Sequence, residues 1–158
     1  MVTLKNKKGF TLIELLAVIV VLGIVMVIGA TTVLPLLEQS KKNAFETEAK
    51  SLISGASDIV TLITINEYEG SYYETSNDGY CITFDQIKTA GFWNKNDSKG
   101  YVGKVEATKK DNNYTYTVTM HNDNYKVAGA SDGLTAENYV DTDTSVVYTC
   151  SGTLKNAS

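Results

Sequence analysis

The amino-acid sequence predicts an α+β fold, in which a long N-terminal α-helix packs on a small antiparallel β-sheet head. Three observations predict this fold. Residues 15–37 contain no charged side chain, apolar residues recur at helical spacing through residues 45–63, and short strand-like segments separated by polar turns follow in residues 101–130. The chain has 158 residues, which is enough for one modest globular core, so a single head domain is expected.

The first part of the predicted helix is apolar on every side. Residues 10–37 contain one charged side chain, that of Glu14, and they exceed the roughly 20 apolar residues that an α-helix needs to cross a bilayer. A secretory signal peptide has an apolar core of only about 7 to 15 residues, so it does not explain this segment. An ordinary single-pass anchor explains the length but not the acid, which is costly within a membrane helix and indicates a functional site.

The predicted helix continues as an amphipathic helix to about residue 65. Its charged residues lie on other faces than its apolar stripe. The stripe comprises Phe45, Ala49, Leu52, Ile53, Ala56, Val60 and Ile63.

Within the apolar part, Pro35 lacks the backbone N–H that a helix needs, and Gly29 has low helix propensity. A kink or a local loss of helicity is therefore expected in residues 29–35, and both remain open.

The head is predicted to begin with a loop over residues 66–79 and to continue as a sheet. A short helix over residues 85–90 should be capped by Asp85 and closed by Gly91. Turns at residues 109–113 and 121–124 should join the middle strands into an antiparallel meander. Strands are predicted over residues 80–84, 101–108, 114–120, 125–130 and 145–150. In the strand at 114–120, threonines alternate with tyrosine and apolar residues, so one face can pack on the helix.

The residues at the start of the apolar run resemble the type IV pilins. Precursors in that family carry a short basic leader that ends in Gly, then a Phe, and a Glu as the fifth residue counted from that Phe. Residues 8–16, with the sequence KGFTLIELL, match this pattern through Gly9, Phe10 and Glu14. The leader is short, as in the type IVa pilins. The resemblance covers about the first 55 residues, and beyond them only the layout of long helix, β-rich head and cysteine pair is similar.

The resemblance implies a structural subunit of a type IV pilus. A prepilin peptidase would cut between Gly9 and Phe10 and methylate the new Phe10 amine. An assembly ATPase and a membrane platform would then move the subunit from the lipid of the cytoplasmic membrane into an extracellular homopolymeric filament, which in this family serves functions such as twitching motility and cell adhesion. The chain would comprise a cleaved leader at residues 1–9, a transmembrane and filament-core helix at 10–37, an amphipathic helix half at 38–66 and a β-rich head at 67–158.

The resemblance also gives a purpose to the weak helical segment between Gly29 and Pro35. Pilin helices can lose helicity in this region when they pack into a filament, although the usual family proline falls a few residues earlier than Pro35. A static bend that aims the head is the alternative.

Glu14 is predicted to act in assembly. Cleavage after Gly9 removes three lysines and leaves a cationic amine on Phe10, about one helical turn from Glu14. An unpaired carboxylate is strongly disfavoured in the low-dielectric centre of a helix bundle, so Glu14 gains from a position beside an amine, its own or that of a neighbouring subunit. Apolar packing along residues 12–37 would hold the rest of the bundle.

The two cysteines, Cys81 and Cys150, both lie in the predicted head. Three lysines precede the apolar run and two, Lys41 and Lys42, follow it, which favours a cytoplasmic N-terminus and an external head. In oxidising surroundings the two cysteines are expected to form a disulfide, which would link the first strand of the head to its last.

No catalytic constellation is visible in the head, so an enzyme is not expected, and neither is a cofactor or a bound metal. His121 is the only histidine and is predicted to be solvated in a polar turn. A solvated loop is favoured over a calcium site for the acidic residues near the end of the chain, because they lack the spacing of an EF-hand. These residues are Asp132, Glu137, Asp141 and Asp143.

The charge of the head argues against general nucleic-acid binding. Residues 67–158 carry 13 acidic and 8 basic side chains, a net charge of -5, whereas nucleic-acid binding draws its affinity from phosphate neutralisation. Lys104, Lys109 and Lys110 are interpreted as a solvated hairpin edge.

All ten tyrosines and Trp93 lie in the head. We interpret them as packing residues of the sheet rather than as a platform for a ligand, although exposure of Trp93 at the surface remains an alternative.

Other proteins of the same fold class remain alternatives. A minor pilin or an adhesin would use the head to capture a surface, a sugar or DNA, and a pseudopilin would serve a secretion or DNA-uptake system.

All 14 basic residues are lysine, which we interpret as the codon bias of an AT-rich, Gram-positive bacterial host.

Overall fold

The structure is a computed structural model that describes residues 9–76, 78–93, 100–140 and 147–156. The chain divides into two compact units, Met1–Ser40 and Lys41–Ser158. Helix α1 spans Leu12–Thr64, close to the predicted bounds. The fold is α+β as predicted, because residues of α1 in the second unit pack on an antiparallel sheet.

The part of α1 in the first unit is uncovered. An 18-residue window within α1 has a mean hydropathy of 3.0 and is 0% buried. In the part of the chain that the structure describes, α1 is the one helix that is long and apolar enough to cross a membrane. Such a surface must be covered by lipid or by other apolar surfaces, because exposing it to water is unfavourable.

Residues 29–35 are α-helical in the isolated chain. The Thr31 and Thr32 hydroxyls each donate to the backbone carbonyl of Ile28, at 3.0 Å, so both threonines are satisfied within the helix. Bonds of this kind often bend a helix. The expected loss of helicity is absent from the isolated chain, and its occurrence in a filament stays a prediction, as does a bend at Pro35.

The head contains one sheet of seven antiparallel strands in its described residues, in the order β6-β5-β4-β3-β2-β1-β7. A short helix, α2, spans Phe84–Thr89. The strands are β1 Ser71–Thr75, β2 Gly79–Thr83, β3 Val102–Lys110, β4 Asn113–His121, β5 Tyr125–Ala130, β6 Glu137–Asn138 and β7 Thr153–Asn156. The predicted meander is confirmed by the pairing of β3 with β4 and of β4 with β5.

The core lies between one face of this sheet and the apolar stripe of α1. On the helix side, the largest fully buried side chains are Phe45, Leu52 and Ile59. Val118 and Met120 of β4 are also fully buried, while the intervening threonines of that strand are more exposed. The alternation predicted for β4 is therefore confirmed, and it places the apolar residues of the strand against the helix.

Two predictions for the strands were wrong. The supposed loop at residues 66–79 contains β1, whose sequence SYYET is rich in residues that favour strands but lies among Gly, Ser and Asn. The predicted strand at 145–150 is not a strand over its described residues 147–150. The later strand is β7, which pairs with β1.

The predicted cap of α2 was also wrong. Thr83, rather than Asp85, is the N-cap residue. The Thr83 amide donates to Oε1 of Gln86 at 2.9 Å, and the Gln86 amide donates to the Thr83 hydroxyl oxygen at 3.3 Å. A threonine followed three residues later by glutamine forms a capping box and satisfies two backbone donors at once. Gly91, with φ of 82°, follows the end of α2 as expected.

Candidate processing and assembly site

Glu14 lies in the first turn of α1, where it forms a reciprocal capping box with Thr11. The helix begins at Leu12, so Thr11 is the N-cap residue. The amide N–H and the hydroxyl of Thr11 both donate to Oε2 of Glu14, each at 2.8 Å. The amide of Glu14 donates to the Thr11 hydroxyl oxygen at 3.4 Å. Two backbone N–H groups that would otherwise lack a partner near the start of the helix are thereby satisfied.

This arrangement gives Glu14 a structural role that was not predicted from the sequence. The signal was present, because a Thr followed three residues later by Glu before an apolar run is the signature of a capping box, and residues 11–14 read TLIE. The carboxylate also lies at the positive end of the helix dipole. An isolated acid at this position is therefore stabilised within the chain itself, in addition to any role in assembly.

Gly9 and Phe10, the predicted processing residues, lie immediately before this capping box. Phe10 is 92% exposed. A Cβ atom added to Gly9 would have no neighbouring atom within 4 Å, so the packing of the described chain does not require a glycine there.

Residues 4–30 match the family model of the prokaryotic N-terminal methylation motif. The match includes Gly9, Phe10, the capping box and the first half of the apolar run. The chain therefore carries a prepilin-type N-terminus and is similar there to the type IV pilin-like proteins. The β-rich head lies outside the matched residues. Neither the curated proteins nor the solved structures contain a match to the chain.

The two cysteines of the head form a disulfide. Cys81 of β2 and Cys150 are bonded, with their Cα atoms 5.7 Å apart. Cys81 is fully buried. The bond joins β2 to the segment that precedes β7, rather than to a final strand at residues 145–150. It thus fixes the path by which the chain reaches β7.

A strap formed by residues 147–150 lies against the sheet face opposite the helix. Its Tyr148 packs on His121, with ring centroids 4.4 Å apart, and its Cys150 is bonded to Cys81. His121 also stacks on Tyr139, at 4.1 Å between centroids. The predicted solvated histidine was therefore wrong, because His121 is a half-buried residue of β4 held by two tyrosine rings.

Lys104 was also predicted incorrectly. It is 8% exposed and its Nζ lies 3.0 Å from Oε1 of Glu106, whereas Lys109 and Lys110 are exposed as predicted. The strand pairing places Lys104 on the same sheet face as Cys81 and His121, the two residues that the strap contacts. The ion pair with Glu106 gives the Lys104 ammonium a partner on a face where a simple alternation rule assigns a lysine to solvent.

Trp93 is buried, so the packing interpretation of the aromatic residues is confirmed at this position. Its ring lies 5.2 Å from that of Phe84 and 5.6 Å from that of Tyr101, centroid to centroid. The Tyr101 hydroxyl in turn donates to Oε2 of Glu48 at 2.6 Å, which gives a partner to a carboxylate that is 8% exposed. These contacts place Trp93 within the core of the head.

Four tyrosines form a chain of neighbouring rings in the head. Tyr68, Tyr72, Tyr80 and Tyr114 follow one another with centroid separations of 6.2, 5.7 and 5.7 Å. Burial raises the pKa of Tyr68. Burial, together with the adjacent Tyr114, raises the pKa of Tyr80 to about 12. With their raised pKa values, Tyr68 and Tyr80 are neutral packing residues at physiological pH.

The described residues contain no group of three or more His, Cys, Asp or Glu side chains that could hold a metal ion. Asp132 and Glu137 are exposed, and Asp141 and Asp143 lie outside the described residues. One groove of the described head has a volume of about 580 Å³ and is lined by residues that include Glu67, Glu69, Asp85 and Phe92. The Ser71 hydroxyl oxygen in this groove accepts a hydrogen bond from Nε2 of Gln86 at 3.3 Å.

Proposed function

We propose that this chain is the major structural subunit of a type IV pilus. The observation that carries the proposal is the match of residues 4–30 to the N-terminal methylation motif, on a helix with an 18-residue apolar window that is 0% buried in the described chain. The motif supports a prepilin-type protein, and the uncovered helix supports burial first in lipid and then among other subunits. The head supplies the surface of the filament.

Processing is the first step of the proposed function. A prepilin peptidase cuts the bond between Gly9 and Phe10 and methylates the Phe10 amine. The exposure of both residues in the segment before α1 leaves that bond accessible. The cut removes the lysine-bearing leader and leaves a secondary amine, which stays cationic at neutral pH, next to the capping box.

Assembly is the second step, in which an ATPase and a membrane platform transfer the mature subunit from the bilayer to the filament. The apolar residues of α1 then pack against those of neighbouring helices. Within such a bundle, Glu14 of one subunit pairs with the Phe10 amine of another. Removing one partner of a buried ion pair costs about 3 to 5 kcal/mol, which corresponds to roughly a hundredfold or more in an association constant.

The test compares wild type with Glu14→Ala and Glu14→Gln, each expressed as the only copy in its native host. Mass spectrometry of the membrane and sheared fractions gives the N-terminal residue and its methylation, and electron microscopy gives filament number. We expect all three proteins to be cut before Phe10 and both variants to yield few filaments. Normal filament numbers for Glu14→Ala would remove the docking role of the carboxylate.

The same experiment separates a major from a minor subunit. If sheared filaments consist mainly of this chain, the major-subunit proposal stands. If the chain is only a trace component, it is a minor pilin, an adhesin or a pseudopilin. A mature N-terminus other than Phe10 would contradict the proposed processing site.

A further inference from the structure

The two oxygens of the Glu14 carboxylate are in different situations. Oε2 accepts two hydrogen bonds from Thr11, one from its amide and one from its hydroxyl. Oε1 accepts none from the residues that the structure describes. Both donors of Thr11 therefore hold one side of the carboxylate, and the other side remains available to a donor from outside the chain.

We infer that Thr11 is a positioning residue for subunit docking, one that holds the Glu14 carboxylate so that Oε1 faces the amine of an incoming subunit. The inference rests on the proposed function, since it concerns the same pairing. It assigns to the threonine hydroxyl a role that is distinct from cleavage and methylation, which act on the preceding bond and on the amine of Phe10.

The bonds to Oε2 persist through processing. Cleavage breaks the bond between Gly9 and Phe10, whereas the Thr11 N–H belongs to the peptide bond between Phe10 and Thr11. An incoming amine can bind Oε1 without displacing either donor on Oε2. The carboxylate is thus held in one orientation before docking, so docking costs less conformational entropy.

The hydroxyl of Thr11 also reduces the cost of keeping a charge in an apolar helix. Hydrogen bonds to an ionised group are shorter and stronger than those between neutral groups, and Oε2 receives two of them. Valine has nearly the same shape as threonine and keeps the backbone N–H, so Thr11→Val removes one of these two bonds together with the 3.4 Å bond that the Glu14 amide donates to the hydroxyl oxygen. Serine restores the hydroxyl.

The experiment measures processing and filament yield for Thr11→Val and Thr11→Ser in the full-length chain, expressed as the only copy. We expect Thr11→Val to be cut and methylated like wild type but to give about tenfold fewer filaments or a larger loss, which is the scale of one lost hydrogen bond to a charged group. Thr11→Ser should restore most of the yield. Thr47→Val is the matched control, because Thr47 is exposed and its hydroxyl donates only to the backbone carbonyl of Asn43 among its described contacts, at 2.9 Å.

A second pair of variants distinguishes positioning from simple helix capping. If Thr11 acts through the carboxylate, Thr11→Val should cause no further loss in a Glu14→Gln background that retains measurable assembly. An equal loss in that background would show that the hydroxyl serves only as a helix cap, and it would overturn the inference. Unchanged or increased filament yield for Thr11→Val would also overturn it, as would a block in cleavage, which would place Thr11 in peptidase recognition. Failure of the proposed function is seen separately, as a wild-type N-terminus other than methylated Phe10.

Discussion

Loss of the Cys81–Cys150 disulfide is expected to destabilise the head by about 4 kcal/mol. The bond joins two residues that are 69 positions apart, and closing a loop of about 70 residues lowers the entropy of the unfolded chain by an amount equivalent to ~4 kcal/mol in the chain-entropy model. That is a large fraction of the roughly 5 to 15 kcal/mol that stabilises a typical domain.

Two single variants separate the stability contributed by the disulfide bond from that contributed by the packing of the two cysteine side chains. Cys150 is half-buried, so Cys150→Ala removes the link and little packed volume. Cys81 is fully buried, so Cys81→Ala should lose about 1 kcal/mol more for the cavity that it leaves. The double variant should be little less stable than Cys81→Ala alone, because one link can be lost only once.

Trp93 provides the assay. It is the only tryptophan of the chain and is 6% exposed, so its fluorescence reports the unfolding of the head during a urea titration of the full-length protein in detergent. Reduced wild type serves as a control and should unfold at nearly the same urea concentration as Cys150→Ala. An unfolding free energy for Cys150→Ala within error of oxidised wild type would refute the reasoning, as would losses in the double variant that equal the sum of the two single losses.

Three further predictions concern processing, titration and flexibility. Replacing Gly9 with Glu should leave uncut precursor in the membrane, which mass spectrometry of the membrane fraction would detect. Accumulation of protein that starts at Phe10 would instead show that cleavage does not need the glycine. The raised pKa of Tyr80, about 12 against an ordinary 10.0, means that stability present below pH 10 is lost as the pH rises toward 12. Tyr80→Phe should weaken this loss in alkaline urea titrations, and an unchanged profile would contradict the assignment. Residues 29–35 should lose α-helical hydrogen bonds in the filament, and a filament map with continuous α-helix through them would leave only a bend.

The long helix and the meander were predictable because their signals are local and periodic. Residues 15–37 form an uninterrupted apolar run, and residues 45–63 carry an apolar stripe at helical spacing. The alternation in β4 identifies its buried face without knowledge of any partner. The capping boxes at Thr11 and Thr83 were equally local, and both were missed because the adjacent acidic residues were given other roles.

The remaining errors have a common physical cause, which is contact between residues far apart in sequence. β1 becomes a strand through pairing with β2 and with β7, and no signal within residues 71–75 identifies the second partner. Lys104 and His121 have the polar character of surface residues. His121 is covered because the disulfide brings Tyr148 of the strap onto its face of the sheet, and this tertiary contact overrides the local pattern.

The place of β7 in the sheet has a consequence for the order in which the head folds. β7 pairs with β1 in a register that joins Ser71 to Asn156, so two neighbouring strands lie about 80 residues apart in the chain, and closing so long a loop is entropically costly and slow. During synthesis the helix and the meander are complete before residues 153–156 emerge, while the outer edge of β1 has no strand beside it. An uncovered edge of this kind pairs readily with other chains. Pairing of β7 with β1 is therefore the last step in folding the head, and it also covers the strand edge that could pair with other chains. The subunit already has one apolar, exposed surface in its helix.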